Sequence, residues 1–474
     1  MTKLNLLLFF VFAQIILTAQ TQVSGSQFGT WTLENSPYQV IGDLLIPEGA
    51  GLSIEAGVVV DFQEHYIFQV DGTLTALGTE TDSIVFSSEV TWGGLFFNSS
   101  DGINLLSYCR IENGNANGED FPYQHGGAIK LLYSQAEISN CFFKNNNAEG
   151  MGGAIYGLGT GAPDETTTWF SACRFEGNHA TTEGGAIKLT ADDNSKIIAC
   201  EFINNSCDYG GGAIMFYSAK QTEIIQSLFV NNTSTYSDGG ALLCLGDGNE
   251  FSLTNCTFYG NETVNGAGGA ICLSYANVQI TNSILYGNIE AHDVGDNLYL
   301  SQAAVVEVNN SNLRIPALAT EDNFSGDNNI ELNPLFIDEN DNDFHLSSLS
   351  ECIDAGMDVG LAFNGEAPDM GCYESDFSQN IERIKESEDL TDFVFPNPFT
   401  SNTSICYQLE NDKRVNLSIY DITGRLVVTL VNKSQQNGTY TIVWNGKNTE
   451  GVEQISGIYF YKLNNTYVGR IIKQ

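Results

Sequence analysis

The sequence predicts an all-β protein: a right-handed parallel β-helix with three strands per coil, followed by a small immunoglobulin-like β-sandwich. Three observations predict it. A Gly-Gly-Ala-(Ile/Leu) cluster recurs at Gly126, Gly152, Gly184, Gly211, Gly239 and Gly268, every 26 to 32 residues. A second anchor, Cys (or Ser)-x-Phe followed by Asn, recurs between these clusters. The last eighty or so residues abandon both motifs for short alternating segments separated by turn residues. A fixed period of this length marks a stacked array, in which each repeat buries its face only against its neighbours. A four-stranded propeller blade needs a repeat of about 40 residues or more, so the shorter period favours the helix.

In chain order, Lys3 is followed by an apolar run from Leu6 to Leu17, interrupted only by Gln14. Small or polar residues follow at Thr18, Ala19 and Gln20. This is the pattern of a secretory signal peptide, expected over residues 1–22 and too short to span a bilayer comfortably. The protein is therefore expected to be secreted or extracellular, with no transmembrane anchor.

The β-helix is expected over residues 23–374. Ser36 to Ser88 carries alternating apolar residues with Gly turns, which predicts shorter opening coils that nucleate and cap the stack. Within the regular repeats, Cys141, Cys173, Cys200 and Cys256, with Ser227 and Ser283 in the same place, alternate at period 2 with Phe143, Phe175, Phe202, Phe229, Phe258 and Leu285. That spacing puts both on one face of a strand, pointing inward. The recurrent Cys109, Cys141, Cys173, Cys200 and Cys256 are read as a stack of free thiols, since free Cys packs as a small hydrophobe. Cys352 and Cys372, outside the repeat, are the best disulfide candidates. The next recurrent position is Asn146, Asn178, Asn205, Asn232, Asn261 and Asn288. It is read as an asparagine ladder at a corner, where Asn tolerates left-handed backbone. The two glycines then allow a bend or a close backbone approach. A third short strand precedes each Cys, as in Lys196-Ile-Ile and Glu223-Ile-Ile.

These repeats, from about Asp101 to Asn288, resemble the polymorphic outer-membrane adhesins of chlamydiae, whose passengers carry Gly-Gly-Ala-Ile and Phe-x-x-Asn pairs. The C-terminal membrane barrel those proteins use for export has no counterpart here. Asn333-Pro-Leu-Phe, Asp343-Phe-His-Leu, Cys352-Ile-Asp-Ala-Gly and Asp369-Met-Gly-Cys resemble the closing coil of secreted β-helices. Asp338, Asn340, Asp341 and Asp343 are the weak calcium candidates of the chain. The run lacks the Gly at the sixth position and the Glu at the twelfth that an EF-hand loop requires.

Residues 375–392 are polar and charged, a linker by composition. Residues 393–474 hold about seven short strands with regular turns, as in an immunoglobulin-like sandwich. Pro396-Asn397-Pro398-Phe399, Tyr420-Asp421, Gly424-Arg425 and Gly457-Ile-Tyr459-Phe closely resemble the type A C-terminal sorting domain of the type IX secretion system. The resemblance implies passage through the outer membrane by the type IX machinery, followed by attachment or release of the body.

Function is less legible. The net charge is -39. From Thr391 onward there are eight basic and six acidic residues, so the rest of the chain, with 11 basic and 52 acidic, carries the whole excess. An acidic body repels phosphate backbones, which excludes nucleic acid as a partner. No cofactor is implied beyond possible calcium. The histidines show no ligand spacing, and neither a Gly-x-Ser-x-Gly elbow nor a phosphate loop is present. No catalytic residue stands out. Glu149, Glu183, Asp208 and Asp238 form a ragged acidic stripe near the Gly-Gly turns, with Lys130, Lys188 and Arg174 the basic residues nearby. The largest insertion, Gly157 to Thr168 with Asp164-Glu165, is the place to look for a site. The expected function is an adhesin or glycan-binding module acting as a monomer on polysaccharide or a neighbouring cell surface. The alternative is a polysaccharide lyase or glycoside hydrolase acting on an acidic polysaccharide. Exposed aromatics in a row, with Tyr156, Phe216, Tyr217 and Tyr275 as candidates, favour sugar stacking; an Arg or Lys facing clustered carboxylates favours the enzyme.

Overall fold

The computed structural model describes residues 20–100, 102–159, 169–191, 194–218, 220–246, 249–290, 297–314, 323–375, 393–395, 399–409, 411–421, 425–464 and 466–473. The signal segment up to residue 19, most of the expected linker and residues 160–168 of the insertion, with Asp164 and Glu165, lie outside them. The described residues divide into two units, 1–379 and 380–474. The first is a right-handed parallel β-helix. Its opening strand, Thr21–Ser26, lies parallel to Tyr38–Ile46 in the next coil. No helix among the described residues is long and apolar enough to cross a membrane.

Each regular coil contributes three strands, and each strand stacks on its equivalent in the next coil. One column holds the Cys-x-Phe strands, such as Phe142–Lys144, Arg174–Glu176 and Glu201–Ile203. A second holds the strands after Gly-Gly-Ala, such as Ile155–Leu158, Ile187–Thr190 and Ile214–Tyr217. The third is a separate 12-stranded sheet running from Gly29–Trp31 to Phe324–Ser325. Two-residue segments after the ladder asparagines, Asn147–Ala148 through Ile289–Glu290, form a short fourth column.

The core is built by the same alternation. Phe143, Phe175, Phe202, Phe229 and Phe258 stack ring on ring, with centroids 4.7, 4.8, 4.8 and 4.3 Å apart and planes within 7° of parallel. Those distances follow the spacing of parallel strands, about 4.8 Å, so one aromatic position per coil fills a continuous seam.

Two side-chain ladders secure the corners. Asn178 Oδ1 accepts both the backbone N–H and the Nδ2–H of Asn146, each at 3.0 Å. Asn146 Nδ2 also donates to the Ile111 carbonyl in the previous coil. The same pattern runs through Asn205, Asn232, Asn261 and Asn288, where Asn297 accepts the last donor at 2.9 Å. Every polar group of these buried amides is therefore satisfied. The left-handed residue is not the ladder asparagine, as the sequence reading had it. It is the one before: Asn145, Gly177, Asn204, Asn231, Gly260 and Gly287.

The cysteine column is the second ladder. Cys109 N–H donates to Cys141 Sγ, Cys200 N–H to Ser227 Oγ and Cys256 N–H to Ser283 Oγ. Each sulfur or hydroxyl also donates to the carbonyl two residues back, as Cys141 does to Ser139 and Ser227 to Ile225. A small side chain that can both accept and donate is required, which is why Ser and Cys interchange here. These cysteines are buried and free, and burial pushes the thiols of Cys141 and Cys200 well above the ordinary range and that of Cys256 up to about 12.

The C-terminal unit is a pair of antiparallel sheets. Three strands, Phe393–Phe395, Thr403–Leu409 and Gly438–Trp444, form one; Leu426–Gln435, Lys413–Asp421, Gly457–Leu463 and Thr466–Lys473 form the other. Ile405, Tyr407, Leu417, Ile419, Trp444 and Tyr461 fill the space between them.

Candidate functional site

The three outward faces of the helix differ in what covers them. Outside the Gly-Gly column, Phe96, Lys130, Tyr156, Lys188, Met215, Leu243 and Cys272 stand in register from coil to coil, and all are buried. Lys130 is 0 % exposed and donates to the Gly93 and Gly126 carbonyls at 2.7 and 3.1 Å. Burial lowers its pKa to about 7. His125 packs on Tyr156 with ring centroids 4.6 Å apart, and its Nδ1 accepts the Met151 N–H. Burial, with Lys130 and Lys188 nearby, holds this imidazole down to about 4. Lys188 donates to Glu183 at 2.9 Å and to the Met215 sulfur. Both lysines near the acidic stripe are thus struts beneath the corner turns. Of the stripe itself, Glu183 is engaged by Lys188 and Asp238 accepts the Ala267 N–H.

The Cys–Phe column is covered differently. Residues 333–375, expected to close the end of the stack, lie back along its side. Phe336, Phe344, Leu346, Ile353 and Met370 pack onto Ile203, Leu228, Val230 and Ile284 of successive coils. Asn282 brackets the strap, donating to the Met357 carbonyl and accepting the Met357 N–H, both at 2.8 Å. Asn255 donates to the Asp369 carbonyl, and Tyr373 donates to Glu201. Cys352 and Cys372 are free, not paired. Cys352 Sγ accepts Asn312 Nδ2–H, whereas Cys372 lies by Thr257, whose hydroxyl accepts its N–H. They serve different parts of the strap. At the edge of the strap, Arg174 bridges Glu176 and Glu201 at 2.8 and 3.0 Å.

The calcium candidates form the tip of the strap's hairpin. Asp338 caps the Asn340 N–H, Asn342 turns in left-handed backbone, and Asp343 accepts from His345 at 2.7 Å. Among the described residues no group of three or more His, Cys, Asp or Glu side chains is placed to hold a metal ion.

The third face, the 12-stranded sheet, is open. Its central outward row reads Glu137, Trp169, Lys196, Glu223, Ser252, Gln279, Glu307 and Ser325, one residue per coil in register. Trp169 is 38 % exposed, with the Lys196 ammonium 5.9 Å from its ring centre. Lys196 pairs with Glu223 at 2.7 Å. Beyond them a groove of about 690 Å³ runs over six strands, lined by Lys196, Glu223, Glu250, Ser252, Gln279 and Glu307 among others. Thr222, in register with Phe251 of the core, points inward beneath the groove and is buried.

Residues 50–285 match the right handed beta helix region family. Residues 400–468 match the FlgD Ig-like domain. No curated protein matches the chain. The beta-helix match stops before the last stacked strands, Leu298–Ser301 and Val305–Asn309, and does not include the strap.

The aromatic candidates divide. Tyr156 and Phe216 are buried, whereas Tyr217 and Tyr275 are exposed. Sequence reasoning missed Trp169 and also the exposed pair Tyr209 and Tyr236, whose rings lie 5.7 Å apart at the corner before Gly-Gly. The available signal was an aromatic at an outward strand position directly after the insertion. Of the sorting-motif residues, Pro396, Asn397, Pro398 and Gly424 lie outside the described residues. Phe399 is buried against Trp444, Tyr459 packs on Trp444, Arg425 pairs with Asp421 at 2.9 Å, and Gly457 opens a strand.

Proposed function

We propose that the β-helix is a glycan-binding module of an exported protein, displayed at a cell surface or released, and that the open sheet is its binding face. One observation carries this reading. Of the three faces, the open sheet alone combines an exposed tryptophan, a row of polar side chains in strict register and a groove along the axis. A linear glycan meets the same spacing on every coil, about 4.8 Å, and offers hydroxyls to the polar row and a ring face to Trp169. Delivery by the type IX machinery belongs to the same proposal and rests on the motif around Phe399, Arg425, Gly457 and Tyr459.

The test is retention of the purified protein on immobilised polysaccharides. Trp169→Ala is expected to weaken retention by about tenfold or more while leaving the melting temperature unchanged, since loss of one stacking platform is worth 1–2 kcal/mol. Equal retention of Trp169→Ala and the parent protein overturns this face as the site.

A further inference from the structure

We infer that the groove on the open sheet selects a glycan bearing protonated amines, such as a deacetylated amino sugar, over a uronate-bearing one. This rests on the glycan-binding reading above. The groove is lined by three carboxylates, Glu223, Glu250 and Glu307, and one ammonium, Lys196. Lys196 is held by Glu223 at 2.7 Å, which leaves its charge matched inside the protein. Glu307 then stands as the uncompensated charge of the groove, and Glu250, with Lys220 its register neighbour on the adjacent strand, is a second exposed carboxylate. They sit two coils apart: Glu250 is in register with Asn277, which is in register with Val305, two residues before Glu307.

Charge complementarity therefore points to a cationic occupant. Carboxylates on the ligand meet like charge inside the groove, and approach through the field of a chain with net charge -39. Amines spaced along a sugar chain meet the two glutamates instead, and charge-assisted hydrogen bonds are the stronger kind. The neutral members of the same rows, Ser252 and Gln279 between Glu223 and Glu307, and Asn277 beside Glu250, supply donors and acceptors for hydroxyls.

The experiment is calorimetric titration of the full chain with three hexasaccharides: a glucosamine oligomer at a pH where its amines are protonated, its fully N-acetylated counterpart, and an oligouronate. The glucosamine oligomer is expected to bind at least tenfold tighter than the N-acetylated one, with the oligouronate weakest. A polyanionic protein attracts any cation weakly, so the Glu250→Gln, Glu307→Gln double variant localises the effect. It is expected to lose about tenfold for the glucosamine oligomer and nothing for the N-acetylated one. Equal binding of the aminated and acetylated chains overturns the charge inference and leaves the glycan reading standing. Tighter binding of the oligouronate overturns it too. Binding of none of the three overturns this inference, and unchanged retention of Trp169→Ala on polysaccharide then removes the glycan reading as well.

Discussion

The corner before each Gly-Gly-Ala strand and the open sheet are made by the same coils, yet they obey different rules. At the corner every coil repeats its residues: ladder Asn, then Gly-Gly, then Ala. On the open sheet the outward row changes type at each step, from Glu137 to Trp169 to Lys196 to Glu223. The difference separates what stacking demands from what stacking leaves free. Where the backbone of one coil lies against the next, only one residue fits. Where side chains face solvent, the parallel ladder is indifferent to them and a binding surface can be written.

The largest effect is expected from breaking the corner sterically. A Cβ on Gly212 lands 2.1 Å from the Gly240 carbonyl oxygen and 2.6 Å from the Thr233 nitrogen, both backbone. Neither can move without displacing its own coil. Gly212→Ala is expected to lower stability by about 4 kcal/mol or more, in the exceptional range for one methyl group. Urea unfolding followed by circular dichroism reads it; a loss under 1 kcal/mol means the coils slide freely and the corner is not a rigid register.

Next comes the ladder. Asn232→Ala removes both acceptor bonds to Asn205 and both donor bonds, to Phe202 and Asn261. The groups left behind are buried, so the expected loss is about 3 kcal/mol. A midpoint shift equal to that of an exposed Asn→Ala control contradicts the ladder's role.

Lys130 sharpens the comparison through pH. It lies under the corner turns, and burial lowers its pKa from 10.5 to about 7. Between those values the unfolded chain holds a proton that the folded chain has released, so stability rises as pH rises from 7. Above about 8.5 ionising thiols of the unfolded chain oppose this, because burial raises the folded thiols of residues such as Cys200 and Cys256. The rise is therefore read between pH 7 and 8.5. Lys130→Met is expected to flatten it; an unchanged slope assigns the rise to another group.

How far the sequence showed this follows from the same contrast. The coil, the ladder asparagines, the interchange of Cys and Ser and the meaning of Gly-Gly were legible, because each recurs and recurrence exposes geometry. The strap over 333–375 was not. Its contacts join residues more than a hundred apart, as from Cys372 to Thr257, and leave no period. At the left-handed position before the Cys or Ser of each coil, Asn255, Asn282 and Asn310 also hold the strap, but Asn140 occupies the same position in an earlier coil, so the residue type alone does not reveal it. The open groove was invisible for the opposite reason: its residues vary, and variation has no signature until the strands are in register.

Ala199 gives a smaller, stabilising test of this division. Its φ is 52°, a conformation alanine adopts at a cost of about 1 kcal/mol. Glycine there relieves the strain but adds freedom to the unfolded chain. Ala199→Gly is expected to raise the urea midpoint slightly, by about 0.5 kcal/mol in stability; a loss of 1 kcal/mol or more means that the Ala199 methyl is needed for packing.

The smallest effect on stability is expected on the open sheet, and it decides whether the comparison holds. Among the described residues, Glu250 is at an exposed strand position beside Lys220 with no ion pair formed, and Glu307 is exposed and meets only the nearby Asn309 amide, at 3.0 Å. Glutamine keeps the length and packing of each side chain and removes one charge. The melting temperature of the Glu250→Gln, Glu307→Gln variant is expected to stay within a degree or two of the parent, matching the ±0.5 kcal/mol typical of surface changes. A slight rise is the favoured direction, since both carboxylates lie in the field of a strongly anionic chain. If instead the variant melts as early as Asn232→Ala, the outward row is part of the stacking code. The open sheet then has no residues free to serve a ligand, and the distinction between the two regions fails.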